Sequence, residues 1–164
     1  MSKVIVIYYS RSGNTKKMAE LVGKGVASAG AECEVKEVGK VKAAELRNYD
    51  GIIIGSPTYY GGPASEIKKL LDESVSLHGG LEGRVGGAFS SSANIGGGNE
   101  TTILDIINAM LIHGMIVQGT HDGDHYGPVS IGYPDSRVEK QCAALGKRVA
   151  DLLKKLKVPF RVLK

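Results

Sequence analysis

Hydroxyl side chains alternate with other residues in a short segment near the start of the sequence. This first loop consists of Ser10, Arg11, Ser12, Gly13, Asn14 and Thr15. It leads directly into a stretch of helical periodicity, and the first N–H groups of a helix have no partner inside the helix. Hydroxyls, a glycine and free N–H groups together favour a phosphate-binding loop. Ordinary capping of the helix by Ser12 or Thr15 is the alternative.

Two adjacent tyrosines lie among turn-forming residues in a second segment. This second loop consists of Ser56, Pro57, Thr58, Tyr59, Tyr60, Gly61, Gly62 and Pro63. Tyrosine rings offer a flat apolar surface with a polar tip, which suits a planar ligand. The chain has seven tyrosines, two phenylalanines and no tryptophan, so a neighbouring pair is a notable share of its aromatic surface. A surface turn with partly buried tyrosines is the alternative.

Small residues dominate a third segment, which ends where a helix is predicted to start. This third loop consists of Ser90, Ser91, Ser92, Ala93, Asn94, Ile95, Gly96, Gly97, Gly98 and Asn99. So many small side chains leave backbone N–H and C=O groups open to a ligand beside them. A merely flexible loop is the alternative.

The elements that must position these loops follow from hydrophobic periodicity. The predicted strands are residues 3–9, 32–38, 51–56, 84–91 and 115–118, and the predicted helices are residues 14–29, 64–75, 100–112 and 136–157. This alternation predicts an α/β fold, a three-layer sandwich with a five-stranded parallel sheet and helices on both faces. Ligands of such sheets bind beyond the carboxyl ends of the strands, where all three loops lie.

Local signals predict where several elements begin and end. Residues 32–38 alternate charged and apolar side chains, as in an edge strand. Pro63 is expected in the first turn of the second helix, with Val75 on its inward face. Ser136 and Glu139 have capping-box spacing at the start of the last helix. Gly55 is interpreted as the end of an element, and residues 119–135 as a long loop.

Competing motifs are absent or misplaced. None of the Gly-Lys pairs precedes Ser or Thr, and no segment fits Gly-x-Gly-x-x-Gly, so nucleotide-triphosphate and dinucleotide loops are excluded. The third strand ends without the Asp that a receiver domain needs. Cys142 and Arg148 have the Cys-x5-Arg spacing of low-molecular-weight phosphatases, but they fall inside the predicted last helix. We interpret that match as coincidence.

Length and composition predict one domain over residues 1–164. The two cysteines, Cys33 and Cys142, form no cluster, so no metal site is expected and reduced, cytoplasmic thiols are the default. No apolar run approaches the ~18 residues of a membrane span. The net charge is +4, and the basic residues near the C-terminus are interpreted as a solvated helix face rather than a nucleic-acid site.

Together the three loops resemble those of the flavodoxin-like flavoproteins, whose phosphate cradle runs Ser/Thr-x-Ser/Thr-Gly-x-Thr. Ser10, Ser12, Gly13, Asn14 and Thr15 match that cradle. More narrowly, the chain is similar to the WrbA-type NAD(P)H:quinone oxidoreductases. The strings that carry this likeness are Tyr8-Tyr9-Ser10, Pro57-Thr58, Phe89-Ser90-Ser91, Gly96-Gly97-Gly98, His113-Gly114-Met115 and Tyr126-Gly127. The resemblance implies the flavodoxin-like strand order 2-1-3-4-5.

The resemblance also implies FMN as the cofactor. Its phosphate is expected at the first loop, with Arg11 adding charge. Its ring is expected at Pro57, Thr58, Tyr59, Tyr60 and Gly61, and at Ser91, Ser92, Ala93, Asn94 and Gly96. His125 and Tyr126 are expected near the open edge of the ring.

The implied activity is two-electron transfer from NAD(P)H to a quinone-like acceptor, in a homo-dimer or homo-tetramer. The third loop has no aromatic residue to cover the second face of the ring, and the net charge is positive, unlike most flavodoxins. The alternative is a flavodoxin-type electron carrier that docks to redox proteins. The chain also departs from the WrbA pattern, because the insertion after the second strand is absent, the 119–135 loop is shorter, and Ile112 precedes His113.

Overall fold

The computed structural model of the chain describes residues 1–156. The strands are β1 (Lys3–Tyr8), β2 (Glu32–Glu37), β3 (Gly51–Tyr59), β4 (Gly62–Pro63), β5 (Val85–Ser92), β6 (Ile116–Val117) and β7 (Val129–Ile131). The helices are α1 (Asn14–Ser28), α2 (Ser65–Glu73), α3 (Asn99–Ile112) and α4 (Ser136–Leu156). Lys157, the last residue of the predicted fourth helix, lies outside the described residues.

The parallel sheet has the strand order β2-β1-β3-β5-β6. Since β5 and β6 are the predicted fourth and fifth strands, the predicted order is confirmed. The edge position of β2 is confirmed as well. Two short strands lie off this path, with β4 antiparallel to β3 and β7 parallel to β5.

The sheet buries a hydrophobic cluster on each face, because successive side chains of a strand point to opposite faces. On one face, α2 and α3 cover Ile5, Ile7, Ile52 and Ile54. On the other face, α1 and α4 cover Val4, Val6, Ile53 and Phe89. Burial on both faces explains why these strands are almost continuously apolar.

Three glycines allow close packing far from any turn. Alanine at Gly146 of α4 would bring a Cβ onto the carbonyl of Val22 and within 2.7 Å of the Val26 nitrogen. A Cβ added at Gly25 of α1 would likewise clash with the backbone of Ala143. Gly55 lies inside β3 against the ring of Phe89, so the interpretation of Gly55 as an element end is wrong.

The second helix begins later than predicted. Pro63 belongs to β4, where it pairs with Thr58, and α2 starts at Ser65. The reason is a tight hairpin, which takes Gly62 and Pro63 into a strand before the helix can begin. The predicted inward position of Val75 is also wrong, because a short 3-10 turn at Ser74–Leu77 follows α2 and leaves Val75 77% exposed.

Two predictions for the last third of the chain are also wrong. Asp135, not Ser136, caps α4, because its carboxylate accepts the Val138 N–H at 2.8 Å. The predicted loop 119–135 contains β7, which pairs with residues Ser90, Ser91 and Ser92 of β5. The last position in the sheet is therefore shared, with β6 beside the start of β5 and β7 beside its end.

Candidate functional site

The first loop ends in a helix that no side chain caps. Gly13 is the N-cap of α1, with φ at +95°, and it makes no side-chain capping bond. Ser10 Oγ instead accepts the N–H of Gly13 at 3.1 Å, and Ser12 is exposed. Capping by Ser12 or Thr15, the alternative to a ligand site, is therefore wrong.

The charges around this helix start differ from those of the other three helices. Glu66, Glu100 and Glu139 lie in the first turns of α2, α3 and α4, where negative charge is favourable. The first turn of α1 has no acidic residue, while Lys16 and Lys17 lie close to its start and Arg11 precedes it. The N-terminus of α1 therefore favours an anion, and its own first turn has no acidic side chain to provide one.

A buried hydrogen bond joins the first loop to the third. The hydroxyls of Thr15 and Ser91 lie 2.9 Å apart, and each of these residues is at least 95% buried. The prediction that these two loops meet at the carboxyl ends of β1 and β5 is confirmed. The Thr15–Ser91 bond therefore stabilises the contact between the two loops, and the expected place of Thr15 at the phosphate stays a prediction.

The second loop is a tight hairpin between β3 and β4 that exposes an aromatic ring. Tyr60 and Gly61 form its turn, with φ angles of +50° and +80°. Tyr60 is fully exposed. Tyr59 is 39% exposed and packs edge-on against Tyr9, with ring centroids 6.5 Å apart. Partial burial and the carboxylate of Glu66 raise the pKa of Tyr9, which keeps its phenol neutral.

Hydroxyl groups connect the second loop to the third. Thr58 Oγ1 lies 2.9 Å from Ser90 Oγ and accepts the hydroxyl of Thr102 at 3.0 Å. These bonds link β3, β5 and α3. Pro57 pairs in register with Ser91 one step further along the sheet.

The third loop exposes mainly backbone. Ala93, Asn94 and Gly96 are exposed, and Ser92 is half-buried. Ser92 Oγ donates to the carbonyl of Asn94 at 2.8 Å, and the N–H of Gly97 donates to the same carbonyl at 3.2 Å. The loop is thus a hydrogen-bonded turn closed on the carbonyl of Asn94.

Strand β7 brings a further aromatic residue to the third loop. The N–H of Gly132 donates to the carbonyl of Ser92 at 2.8 Å, which places Ile131 and Tyr133 beside that loop. Tyr133 is 66% exposed. Sequence reasoning missed it, because the only signal was a three-residue strand, Val129–Ile131, inside a presumed loop.

His125 and Tyr126 lie in the excursion between β6 and β7. His125 Nδ1 bonds to the carbonyl of Thr120 at 2.9 Å, and Tyr126 is half-exposed. Within residues 1–156, no hydrogen bond joins either residue to the three loops. Their expected place at the edge of the ring stays a prediction.

An ion pair fixes this excursion to α4. The carboxylate of Asp124 accepts Arg137 Nη1 at 2.8 Å and the N–H of Val129 at 2.9 Å. Arg137 Nη2 donates to the carbonyl of Val129 at 2.8 Å. Asp124 and Arg137 therefore both hydrogen-bond to the backbone of Val129, the first residue of β7. The position of Val129 in turn helps to place Tyr133, which follows β7 in the chain.

Both cysteines are free thiols, and neither belongs to the three loops. Cys142 is fully buried in α4, and burial raises the pKa of its thiol to about 12. This thiol is protonated and enclosed, so the phosphatase spacing with Arg148 is indeed coincidental. In the described part of the chain, no group of His, Cys, Asp or Glu side chains could hold a metal ion, and no helix is long and apolar enough to cross a membrane.

Comparison with known proteins places the fold in a family. Residues 5–87 match the model of the flavodoxin domain. A flavodoxin from Aquifex aeolicus is 41% identical over 160 residues, covering 92% of this chain and 86% of that protein. The chain belongs to the flavodoxin family.

Relatives of this family member carry two kinds of name. An NAD(P)H dehydrogenase (quinone) from Archaeoglobus fulgidus is 35% identical over 190 residues, covering 95% of this chain and all of that protein. The crystal structure of a WrbA-like flavodoxin from Agrobacterium tumefaciens superposes with a TM-score of 0.79 at 27% identity, covering 96% of this chain and all of that one. The resemblance to flavodoxin-like and WrbA-type proteins is therefore confirmed.

Proposed function

We propose that this flavodoxin-family chain binds FMN across the three loops and transfers two electrons from NAD(P)H to a quinone or similar flat acceptor. Residues 1–164 would act as one FMN-binding domain. When bound, FMN supplies the redox chemistry, and the chain supplies binding, orientation and electrostatics. The observation that carries the FMN part of the proposal is the uncapped, positively charged start of α1, and the exposed ring of Tyr60 supports it.

The phosphate fits the first loop. Free N–H groups at the start of α1 and the side chains of Ser10, Ser12 and Asn14 would bind its oxygens, and Arg11 would add charge. A dianion there would also compensate Lys16 and Lys17, which otherwise stand unfavourably near the positive end of the helix dipole.

The planar ring fits between the second and third loops. Tyr60 offers a solvent-facing ring on one side, and Thr58 and Gly61 belong to the same hairpin. The turn from Ser92 to Gly97 offers backbone N–H groups and no aromatic side chain. We infer that the face of the ring away from Tyr60 stays open to a flat substrate, with Tyr133 at its border.

An electron-carrier function is the second candidate. The Aquifex aeolicus relative is named a flavodoxin, and three large apolar side chains are exposed in or next to the second and third loops. These are Tyr60, Ile95 and Tyr133. Clustered exposed apolar groups also suit docking of a partner protein. The homo-oligomeric state and the cytoplasmic setting stay predictions.

Anaerobic stopped-flow mixing of the FMN-loaded protein with NADH or NADPH separates the two functions. For the reductase, we expect saturable bleaching of flavin absorbance with one of the two donors, followed by reoxidation with one equivalent of benzoquinone. Oxidised absorbance that persists with both donors, yet bleaches with dithionite, would favour the carrier and exclude the reductase.

A further inference from the structure

The turn at Tyr60 adopts a backbone conformation that needs support. Tyr60 is the only non-glycine residue with positive φ among residues 1–156. Such conformations cost about 1–3 kcal/mol and persist where surrounding structure holds them. Two-residue hairpin turns of this kind favour Asn-Gly or Asp-Gly, so Tyr at the first position is an unusual choice.

One exposed hydroxyl contacts this turn from another element. Thr101, in the first turn of α3, donates to the carbonyl of Gly61 at 2.6 Å, and the carbonyl of Gly98 lies 2.9 Å from the same oxygen. Gly61 belongs to the second loop and Gly98 to the third. A hydroxyl has a single proton, so the two carbonyls share it, with the shorter contact to Gly61.

The backbones of the two loops also touch at this point. A Cβ at Gly98 would lie 2.7 Å from the Cα of Gly61, so a side chain there would push the turn away from α3. At the base of the hairpin, buried Thr102 donates to Thr58 at 3.0 Å. The first turn of α3 therefore contacts both the base and the tip of the hairpin.

We propose that Thr101 is a positioning residue, which locks the Tyr60–Gly61 turn against α3 and so fixes the Tyr60 ring before a planar ligand binds. The ligand part of this inference rests on the proposed function. Thr101 itself needs no contact with the ligand. Its effect is to remove turn conformations in which Tyr60 faces elsewhere, which lowers the ordering cost of binding.

Amide hydrogen exchange of the ligand-free protein tests the lock directly. In Thr101→Val, we expect the amide of Gly62, which pairs with Tyr59 at the end of the hairpin, to exchange about five-fold faster, as loss of one hydrogen bond implies. Thr101→Ser keeps the hydroxyl and should exchange like the wild type. Ser76→Ala is the matched control, because it removes an exposed hydroxyl bond to a carbonyl, that of Glu73, remote from the hairpin.

Flavin titration tests the consequence for binding. Thr101→Val should weaken FMN and riboflavin by the same factor, about five-fold, because the phosphate end is unchanged. Unchanged exchange at the turn, an equal effect in Thr101→Ser, or a loss confined to FMN would overturn the proposal. If the wild type binds neither flavin, the proposed function fails, while the exchange rates still decide whether Thr101 holds the turn.

Discussion

Replacing Gly146 with alanine is expected to lower the free energy of unfolding by about 2 kcal/mol. In an isolated helix the same change would stabilise by about 1 kcal/mol, because alanine is the better helix former. Here the new Cβ would meet the carbonyl of Val22 and the backbone nitrogen of Val26. Backbone atoms cannot rotate away, so α1 and α4 must separate and loosen the cluster that includes Met18 and Leu145.

Urea unfolding of the two proteins measures this effect. Gly39→Ala is the matched control, since a Cβ at Gly39 would meet no atom within 4 Å beyond its own chain neighbours, and the φ of Gly39 is not positive. We expect the Gly39 variant to stay within about 0.5 kcal/mol of the wild type. Equal stability of the Gly146 variant and the wild type would show that α1 and α4 do not pack as closely as described.

Replacing Ser12 with aspartate is expected to weaken FMN roughly 100-fold while leaving riboflavin within about two-fold. The new carboxylate would stand beside the phosphate, whereas riboflavin has no phosphate to repel. The same charge lies near the positive end of the α1 dipole, which has no acidic residue in its first turn. The ligand-free variant should therefore be slightly more stable than the wild type, by about 0.3–1 kcal/mol.

Opposite effects on stability and on FMN affinity are what separate this prediction from simple damage to the fold. Ser76→Asp makes the same charge change at an exposed position beyond α2 and should leave both flavin affinities unchanged. Isothermal titration with each flavin, together with thermal unfolding, provides the three measurements. If the Ser12 variant lost equal affinity for FMN and for riboflavin, the placement of the phosphate at the first loop would be wrong.

The sheet could be predicted from the sequence because its strands are locally distinctive. The runs that form β1 and β3 are apolar on both faces, and each ends in a segment of small or hydroxyl residues. Strand alternation with helices then leaves few topologies. The meeting of the first and third loops, seen in the Thr15–Ser91 bond, follows from that topology alone.

Features that depend on contacts between distant segments could not be predicted. In the sequence, Gly25 and Gly146 resemble interruptions of good helices. Each is required because the backbone of another helix, more than 100 residues away along the chain, packs against it. Likewise, β7 is only three residues long, and its place is fixed by β5 and by the Asp124–Arg137 pair. Short strands of this kind carry too little hydrophobic pattern to stand out from a loop.

In the candidate site, residue types were more predictable than residue roles. The sequence predicts Thr15 as a phosphate ligand, which stays a prediction, but it does not predict that the Thr15 hydroxyl also bonds to Ser91. Thr101 has no signal in the sequence, since one threonine in a helix resembles any other. Its importance depends on the carbonyl of Gly61, which only the folded hairpin brings within 2.6 Å.

The uncapped start of α1 is proposed to bind the phosphate of a flavin whose ring lies on Tyr60. The direct test is to titrate the wild-type chain with FMN and with riboflavin and to monitor binding by the quenching of flavin fluorescence. We predict saturable one-to-one binding of both, with FMN roughly 100-fold tighter because of the phosphate contacts. Equal affinity for the two flavins, or no binding of FMN, would contradict the claim.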